Sequence, residues 1–329
     1  MKSRISRRTA IAGSLAVAAF PRPSLGQSVK FGSKPIRIIC AFPAGGLTDQ
    51  FARAYGDYIA EKTGQQVIVE NRTGAGGGVG AVALKQAPND GHTLMCTVSA
   101  TLLGNRVLYK NLPYDPDKDF ALVALMSSGH LPVVAHKSTG AKTIAEFAAY
   151  AKTNKVSGGS YAAGSFAHIA VNEISKQLGF ECPIVQHRGE SPMWQDMAAG
   201  VSHIACGSYQ ASRIVLDGGH GQAIAVPTSK RMKRLPDVPT FAEQGLTAPV
   251  FQLKSWTCFV ARGDTPPELV TEASNMIVDG GKTPRLAKIL DTFGIDDGAV
   301  GQVQFKNIMD TEGPIWLDAA RKLNLKQEG

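Results

Sequence analysis

Strand-like and helix-like segments alternate through almost the whole chain, and this alternation limits the possible folds more than any other feature. The apolar run at residues 35–40 predicts a first strand, and residues 49–62 have helical spacing that ends before Gly64. Residues 66–70 predict a second strand, and residues 79–86 a second helix. Because such alternation is typical of α/β proteins, we expect an α/β fold with mainly parallel sheets.

The alternation continues in two further blocks, with strands predicted at 93–98, 122–126, 132–135, 159–161, 184–185, 203–206, 223–226 and 257–260, and helices at 144–152, 166–178, 193–199, 267–278, 284–292 and 303–323. We interpret Ser127-Ser128-Gly129-His130 as a first crossing between domains and expect a return crossing near 251–256. Domain 1 would then comprise residues 27–129 and 255–329, and domain 2 residues 130–254. Since a few linker residues can absorb domain closure, we expect a hinge and a central ligand cleft.

Residues 1–26 have the composition of a signal peptide. A basic start (Lys2, Arg4, Arg7, Arg8) precedes a short apolar run at 10–20 and small residues at 24–26. The run is well short of the ~20 residues that span a bilayer, and no Cys lies at the cleavage point, so we expect no membrane anchor. The Arg7-Arg8 pair favours twin-arginine export, whereas the weakly apolar Ala10 leaves the general secretory route open.

Charge and cysteine content exclude several classes of site. The predicted signal peptide holds five of the 35 basic residues and none of the 27 acidic ones, so its removal lowers the formal net charge from +8 to +3. So small a charge predicts no nucleic-acid surface and leaves acidic small molecules as plausible ligands. The five cysteines lie mostly in apolar runs, which predicts buried thiols, although one disulfide remains open. No metal-binding spacing is present, and we expect no metal and no cofactor.

The loop at residues 41–49 joins the first strand to the first helix and has the composition of an anion site. Gly45 and Gly46 let backbone N–H groups approach a ligand, and Thr48 can cap the helix. Free N–H groups at a helix start bind carboxylates. Asp49 is expected to order the loop or a water, because its charge would repel an anion. A plain capped turn is the alternative interpretation.

A second loop, at residues 158–166, also joins a predicted strand to a predicted helix. Gly164 would permit close approach of a ligand and Ser165 would cap the helix. Two helix N-termini facing each other across a cleft would hold one carboxylate from both sides. Because only the closed form would allow both contacts, ligand would favour closure.

Two further glycine-rich patterns are weaker. The G-x-G-x-x-A pattern at 76–81 lies five residues beyond the strand that ends at Glu70, whereas a dinucleotide site follows its strand at once. Residues 158–162 resemble a nucleophile elbow without its last glycine, and Ser160 is predicted in the strand. We therefore expect no catalytic residue and no enzymatic activity.

Several segments together resemble the Bug receptors, the substrate-binding components of tripartite tricarboxylate transporters. They are Lys34-Pro35-Ile36-Arg37, Phe42-Pro43-Ala44-Gly45-Gly46-Leu47-Thr48-Asp49, Val69-Glu70-Asn71-Arg72-Thr73-Gly74-Ala75-Gly76-Gly77, Leu112-Pro113-Tyr114-Asp115-Pro116 and Leu235-Pro236-Asp237-Val238-Pro239-Thr240. The resemblance covers essentially all of the chain beyond the signal segment. It implies the two-domain periplasmic binding protein fold and a carboxylate bound by the loops at 44–49 and 162–168. It also implies delivery to a membrane permease.

The chain departs from the family pattern in domain 2. Where the family usually has Pro-Tyr-Lys-Gly-Gly, this chain has Gln186-His187-Arg188-Gly189-Glu190, and where the family has Phe-Asp-Asn it has Gly207 in place of the acidic residue. The missing Asp argues against an amine-bearing ligand, and the loss of bulk predicts room for an aromatic or larger acid. Tyr161, Phe166 and Tyr209 would flank that acid, with His187 or Arg188 at its distal end. The alternative is that these residues only pack the domain.

The sequence thus predicts a monomeric periplasmic receptor for a small carboxylate. The candidate ligand-binding residues are Phe42, Ala44, Gly45, Gly46, Thr48, Asp49, Ser99, Tyr161, Ala163, Gly164, Ser165, Phe166, His168, His187, Arg188, Gly207 and Ser208. One rival hypothesis is a sensor that presents its ligand to a membrane kinase. The other is an exported hydrolase or isomerase that uses His168 or His187 with Asp49.

Overall fold

The computed structural model describes residues 34–128, 131–227, 230–253 and 255–324 of the 329-residue chain. The predicted signal peptide, and Gly129 and His130 of the first crossing, lie outside these residues. Two separate β-sheets, each covered by helices, confirm the predicted α/β fold.

The strands are, in chain order, β1 (Ile36–Cys40), β2 (Val67–Asn71), β3 (Thr93–Val98), β4 (Phe120–Ser127), β5 (Val133–His136), β6 (Gly158–Ser160), β7 (Ile184–Gln186), β8 (Ile204–Cys206), β9 (Gly221–Ala225), β10 (Trp256–Arg262) and β11 (Val300–Gly301). The helices are α1 (Leu47–Thr63), α2 (Gly78–Lys85), α3 (Asn105–Leu108), α4 (Ile144–Ala151), α5 (Phe166–Leu178), α6 (Glu190–Ala198), α7 (Tyr209–Leu216), α8 (Pro267–Gly280), α9 (Pro284–Phe293) and α10 (Gln302–Lys322). A π-helical turn, Ala100–Gly104, runs directly into α3.

The first sheet has the strand order β11-β4-β10-β3-β1-β2 and forms the first unit with α1–α3 and α8–α10. Its strand β1, which lies between β3 and β2, is almost wholly apolar, and its side chains are mostly buried on both faces. Helix α1 buries Phe51, Tyr55 and Ile59, which lie four residues apart on one helical face. This packing fixes the start of α1 next to the end of β1.

The second sheet has the order β7-β6-β8-β5-β9 and forms the second unit with α4–α7. The strands β6, β7 and β8 are parallel, with Gly158 opposite both Ile184 and Ile204. Gly158 and Gly159 of β6 lie close to Val171 and Met193, so the helices α5 and α6 pack directly against the sheet backbone. The ends of β6 and β8 therefore lie beside each other at one edge of this sheet.

Both sheets are mixed, so the expectation of mainly parallel sheets is wrong. The strands that follow the two crossings, β5 and β10, run antiparallel to both of their neighbours. Each enters its sheet from the hinge, at the edge where the neighbouring parallel strands end. Strand direction is therefore set by the crossings and not by the local alternation of strands and helices.

The two crossings lie side by side. The backbone N–H of Ser128 donates to the carbonyl of Ser255 over 3.1 Å, and the hydroxyls of Ser128 and Thr257 are 3.1 Å apart. Two adjacent extended connections between two units are the usual form of a hinge. The exact boundaries 27–129, 130–254 and 255–329 stay a prediction.

The two units share buried side chains beside the hinge. The rings of Phe166 in α5 and Trp316 in α10 have centroids 6.1 Å apart, and both side chains are buried.

All five cysteines are free thiols, four of them buried, and burial raises the pKa of Cys40 to about 11. No helix in the described ranges is both long and apolar enough to span a bilayer.

Candidate functional site

A cleft of about 470 Å³ lies between the two units, next to the hinge. Its volume suits a small organic ligand. The lining residues are Phe42, Pro43, Ala44, Gly45, Gly46, Leu47, Thr48, Gln50, Val98, Ser128, Leu131, Tyr161, Arg188, Gly189, Glu190, Ser191, Pro192, Ser208, Gln210, Ala211, Ser255, Thr257 and Phe293. A larger groove of about 980 Å³ runs along α10, but it belongs to the first unit alone, so hinge closure would not enclose a ligand there.

The first wall of the cleft is the start of α1. Residues 45–48 line the cleft, and the N-cap position is Gly46, which has no side chain to cap the helix. The first backbone N–H groups of an α-helix have no partner within the helix. Thr48 lies inside the first turn and is not the cap that the sequence predicted. This wall therefore offers uncapped donors at the positive end of a helix dipole.

Asp49 stabilises this loop through hydrogen bonds and does not line the cleft. Its carboxylate accepts from the backbone N–H of Gly45 at 3.0 Å, from Arg53 Nε at 3.0 Å and from Asn71 Nδ2 at 2.9 Å. Burial alone would raise the pKa of Asp49, but the hydrogen bonds from Arg53, Gly45 and Asn71 outweigh it and hold the pKa below the usual value. Its role in the structure is the loop-ordering one expected from sequence.

The second wall is formed by the starts of α6 and α7. The carboxylate of Glu190, the first residue of α6, accepts from the backbone N–H of Ser208 at 2.8 Å and from the Ser208 hydroxyl. The same hydroxyl oxygen caps α7 by accepting from the N–H of Ala211 at 3.4 Å. Glu190 thus joins the two helix starts, and burial raises the pKa of its carboxyl.

The space beside Gly207 is filled, so the expectation of room for a larger ligand there is wrong. A Cβ atom at Gly207 would lie 2.9 Å from Trp194 and 3.1 Å from Glu190 Oε1. The missing side chain at 207 is replaced by the Glu190 carboxylate, which the sequence analysis noted as unusual without connecting it to Gly207.

Arg188 and Glu190 are the two charged residues that line the cleft within the described chain. Arg188 is exposed and makes no hydrogen bond or ion pair with any described residue, so its guanidinium is available to an anion. Tyr161 is half-buried on the same wall, and burial raises the pKa of its phenol. The cleft therefore contains one available cation and one half-buried carboxylate.

The two units also touch beside the cleft. Arg234 pairs with Asp291, and Lys233 Nζ lies 3.1 Å from Asp296 Oδ1. These pairs join the second unit to the end of α9, next to the lining residue Phe293. Exposed pairs of this kind are weak, so they are compatible with reversible opening.

The part of the second predicted loop around Gly164 lies against the first unit and outside the cleft lining, although Tyr161 of the same loop lines the cleft. The carbonyl oxygen of Gly164 would be 3.1 Å from a Cβ atom on Gly104, and Leu108 packs on Gly164 from the same side. Ser165 is buried and caps α5 by accepting from the N–H of His168. The start of α5 is therefore not the helix start that was predicted to face α1 across the cleft, and the starts of α6 and α7 lie there instead.

The two candidate histidines are held outside the cleft as well. Nδ1 of His168 accepts from the N–H of Gly164 at 3.3 Å and lies 3.1 Å from Gln186 Nε2. Nε2 of His187 lies 2.9 Å from Asp196 Oδ2, and its Nδ1 lies 3.1 Å from the Ser160 carbonyl oxygen. Neither contacts Asp49, so the dyad of the rival enzyme hypothesis is not formed.

Protonation of His168 is expected to destabilise the protein in acid. Burial lowers the pKa of His168 from 6.5 to about 4, so the folded state favours the neutral ring. This contribution is complete above pH 6.5 and is lost as the pH falls towards 4, at a total of about 3 kcal/mol. Urea unfolding at pH 7 and pH 4 should show a free-energy loss larger by that amount in the unsubstituted protein than in His168→Gln. Equal losses would contradict the assignment.

The structure brings eight of the predicted residues to the cleft, namely Phe42, Ala44, Gly45, Gly46, Thr48, Tyr161, Arg188 and Ser208. It places the others outside the lining, namely Asp49, Ser99, Ala163, Gly164, Ser165, Phe166, His168, His187 and Gly207. Further lining residues were not predicted from the sequence, among them Gln50, Glu190, Ser191, Pro192, Gln210 and the hinge residues Ser128, Ser255 and Thr257. A Ser at the end of β8 was a helix-cap signal that could have revealed α7 and Gln210.

Among the described residues, no group of three or more His, Cys, Asp or Glu side chains could hold a metal ion. The chemistry available in the cleft is therefore that of backbone N–H groups, hydroxyls, one guanidinium and one carboxylate. These groups can bind and orient an organic acid.

Comparison with known proteins shows the family of the chain. The model of the family described as "Tripartite tricarboxylate transporter family receptor" matches residues 51–323. The chain is 30% identical to a UPF0065 protein from the tcbD-tcbE intergenic region of Pseudomonas sp. (strain P51), over 99% of this chain and 97% of that protein.

Two solved structures share the fold. Rpa4515 of R. palustris, solved with adipate, is 26% identical with a TM-score of 0.82, over 91% of this chain and 100% of that one. MatC (Rpa3494) of Rhodopseudomonas palustris, solved with bound malate, is 27% identical with a TM-score of 0.77, over 88% and 100%. The chain belongs to the tripartite tricarboxylate transporter receptor family, the Bug receptors.

Proposed function

We propose that this protein is a periplasmic receptor that captures a small carboxylate in the cleft between its two units and delivers it to a tripartite tricarboxylate-type permease. The observation that carries the proposal is the uncapped start of α1, whose Gly45–Thr48 backbone lines the cleft opposite Arg188. The relatives solved with adipate and malate support the same ligand class.

The difference between the helix starts indicates where the anion binds. The starts of α5 and α7 are capped by Ser165 and Ser208, and Glu190 supplies a negative charge at the start of α6. Among the described helices that begin at the cleft, α1 and α6 both lack a side-chain cap. The start of α6 carries the cleft-lining carboxylate of Glu190, and its third residue, Pro192, has no N–H group, so the start of α1 is the better site for an anion. Each hydrogen bond from such a group to a carboxylate contributes about 1.5–3 kcal/mol at best.

The same geometry favours binding over catalysis. The side chains that could act as nucleophile or base are already engaged: Asp49 with Gly45 and Arg53, and His187 with Asp196. The Ser208 hydroxyl is held between Glu190 and the start of α7. Because no described histidine lines the cleft, a Ser-His arrangement is not present there.

If the ligand carboxylate binds at the start of α1, an aspartate side chain introduced at position 46 is expected to displace it. Gly46 has an extended backbone, and a Cβ atom there would meet only the carbonyl oxygen of Pro43, at 3.7 Å. Gly46→Asp should therefore cap α1 without loss of stability. Because the new side chain occupies the free N–H groups, ligand affinity should fall by about 100-fold or more.

The measurement starts from a thermal-shift screen of organic acids, followed by calorimetry of the best ligand with the two variants. Gly46→Ala is the matched control, because it adds the Cβ atom without a cap, and it should stay within about threefold of the unsubstituted protein. Equal affinity in Gly46→Asp, or chemical conversion of the bound acid during prolonged incubation, would contradict the proposal.

A further inference from the structure

The feature that the receptor function does not by itself explain is a carboxylate in a cleft that binds carboxylates. Glu190 lines the cleft, and its two oxygens accept from the N–H and the hydroxyl of Ser208. Since the Ser208 oxygen also accepts from Ala211, its own hydrogen is free to donate to Glu190. Both Glu190 oxygens therefore act as acceptors, which is the arrangement of an ionised carboxylate.

Glu190 also occupies the place that a second ligand carboxylate would need. The starts of α6 and α7 are the positive helix ends on the second wall, and Glu190 lies at both. Trp194 and Met193 pack on Gly207 next to it, so the carboxylate has no space to turn away through that side. A ligand anion placed at this wall would meet a fixed negative charge.

The charges that line the cleft are therefore complementary to those of a zwitterionic ligand. Arg188 and the free N–H groups of α1 attract an anion, and Glu190 attracts a cation. No described cation forms an ion pair with Glu190, so a ligand ammonium would be its first opposite charge. Burial raises the pKa of Glu190, and a cation beside it would offset that cost.

We propose that Glu190 makes this receptor selective for an aminocarboxylic acid, whose carboxylate binds at the start of α1 and whose ammonium group binds Glu190. The inference rests on the proposed function and names its ligand class. It revises the expectation that the absence of an acidic residue at 207 argues against an amine-bearing ligand. The carboxyl group is present at that place and is supplied by residue 190.

The test is calorimetry of the mature protein with three pairs of acids of equal length: 4-aminobutanoate and succinate, 5-aminopentanoate and glutarate, 6-aminohexanoate and adipate. In at least one pair the amino acid should bind about 30-fold more tightly than the diacid, because the second carboxylate of the diacid would be repelled by Glu190. Glu190→Gln removes the charge while keeping the shape, and should reduce that preference to below about threefold. Glu181→Gln, at an exposed residue outside the cleft, is the matched control and should keep the preference.

The outcomes separate the inference from the proposed function. Diacids that bind as tightly as the amino acids in every pair, or an unchanged preference in folded Glu190→Gln, would overturn the inference. If the protein binds other carboxylates but none of the amino acids, the inference falls and the receptor function remains. Failure to bind any carboxylate would overturn both. The comparison within the unsubstituted protein decides the matter even if Glu190→Gln does not fold.

Discussion

Replacement of Asp49 by alanine is expected to weaken ligand binding by about 30-fold or more and to lower the free energy of unfolding by about 3 kcal/mol. The carboxylate is buried and joins the Gly45 N–H, Arg53 and Asn71. Its removal leaves the Gly45 N–H without this acceptor and releases the loop that presents the start of α1 to the cleft. Calorimetry gives the affinity, and urea unfolding gives the stability.

The matched control lies two turns further along the same helix. Asp57 is exposed and forms an ion pair with Arg285, so Asp57→Ala should change the free energy of unfolding by less than about 1 kcal/mol and leave binding unchanged. An Asp49→Ala protein that keeps full affinity would show that ligand binding by the loop at 41–49 does not depend on this carboxylate.

Replacement of Trp316 by alanine is expected to have the largest effect on stability, about 3–5 kcal/mol. The indole is fully buried where α10 of the first unit meets Phe166 of the second. Its N–H finds no hydrogen-bond partner among the described residues, so the ring contributes through packing and not through a polar contact. The expected loss therefore comes from the cavity and the lost apolar contacts, and guanidinium unfolding measures it.

A Trp316→Phe variant distinguishes the loss of ring packing from the loss of the indole N–H. Trp316→Phe keeps a ring against Phe166 and removes the unpaired N–H, so it should cost less than about 1.5 kcal/mol. Equal losses in the two variants would show that the indole is held by something other than packing against the second unit.

Local signals in the sequence predicted the individual elements well. Helix α5 was expected at residues 166–178 and is observed as Phe166–Leu178, because Ser165 caps its start and Gly179 ends it in the left-handed region with φ 70°. Helix α7 was missed, although Ser208 caps its start and its eight residues have one apolar face.

The direction of β5 and β10 could not be predicted from local sequence, since it depends on the side from which the chain enters each sheet. The residues of the cleft likewise differ in whether local sequence or tertiary packing determines their position. The loop at 41–49 was predicted to line the cleft because all its features are contiguous. The second wall was predicted only in part: Arg188 and Ser208 were named, but the contact between Glu190 and Ser208 joins residues 18 positions apart and was not predicted. Gly164 had the local features of a second binding loop, yet tertiary packing places it against Gly104 of the π-helical turn.

We expect the cleft to bind a carboxylate at the start of α1 without converting it chemically. A crystal structure of the complex with the tightest ligand from the screen tests this directly. The predicted result is an unaltered acid whose carboxylate oxygens lie about 3 Å from the backbone nitrogens of residues 46–48. An acid bound elsewhere, for example in the groove along α10, or a chemically altered molecule in the cleft would contradict it.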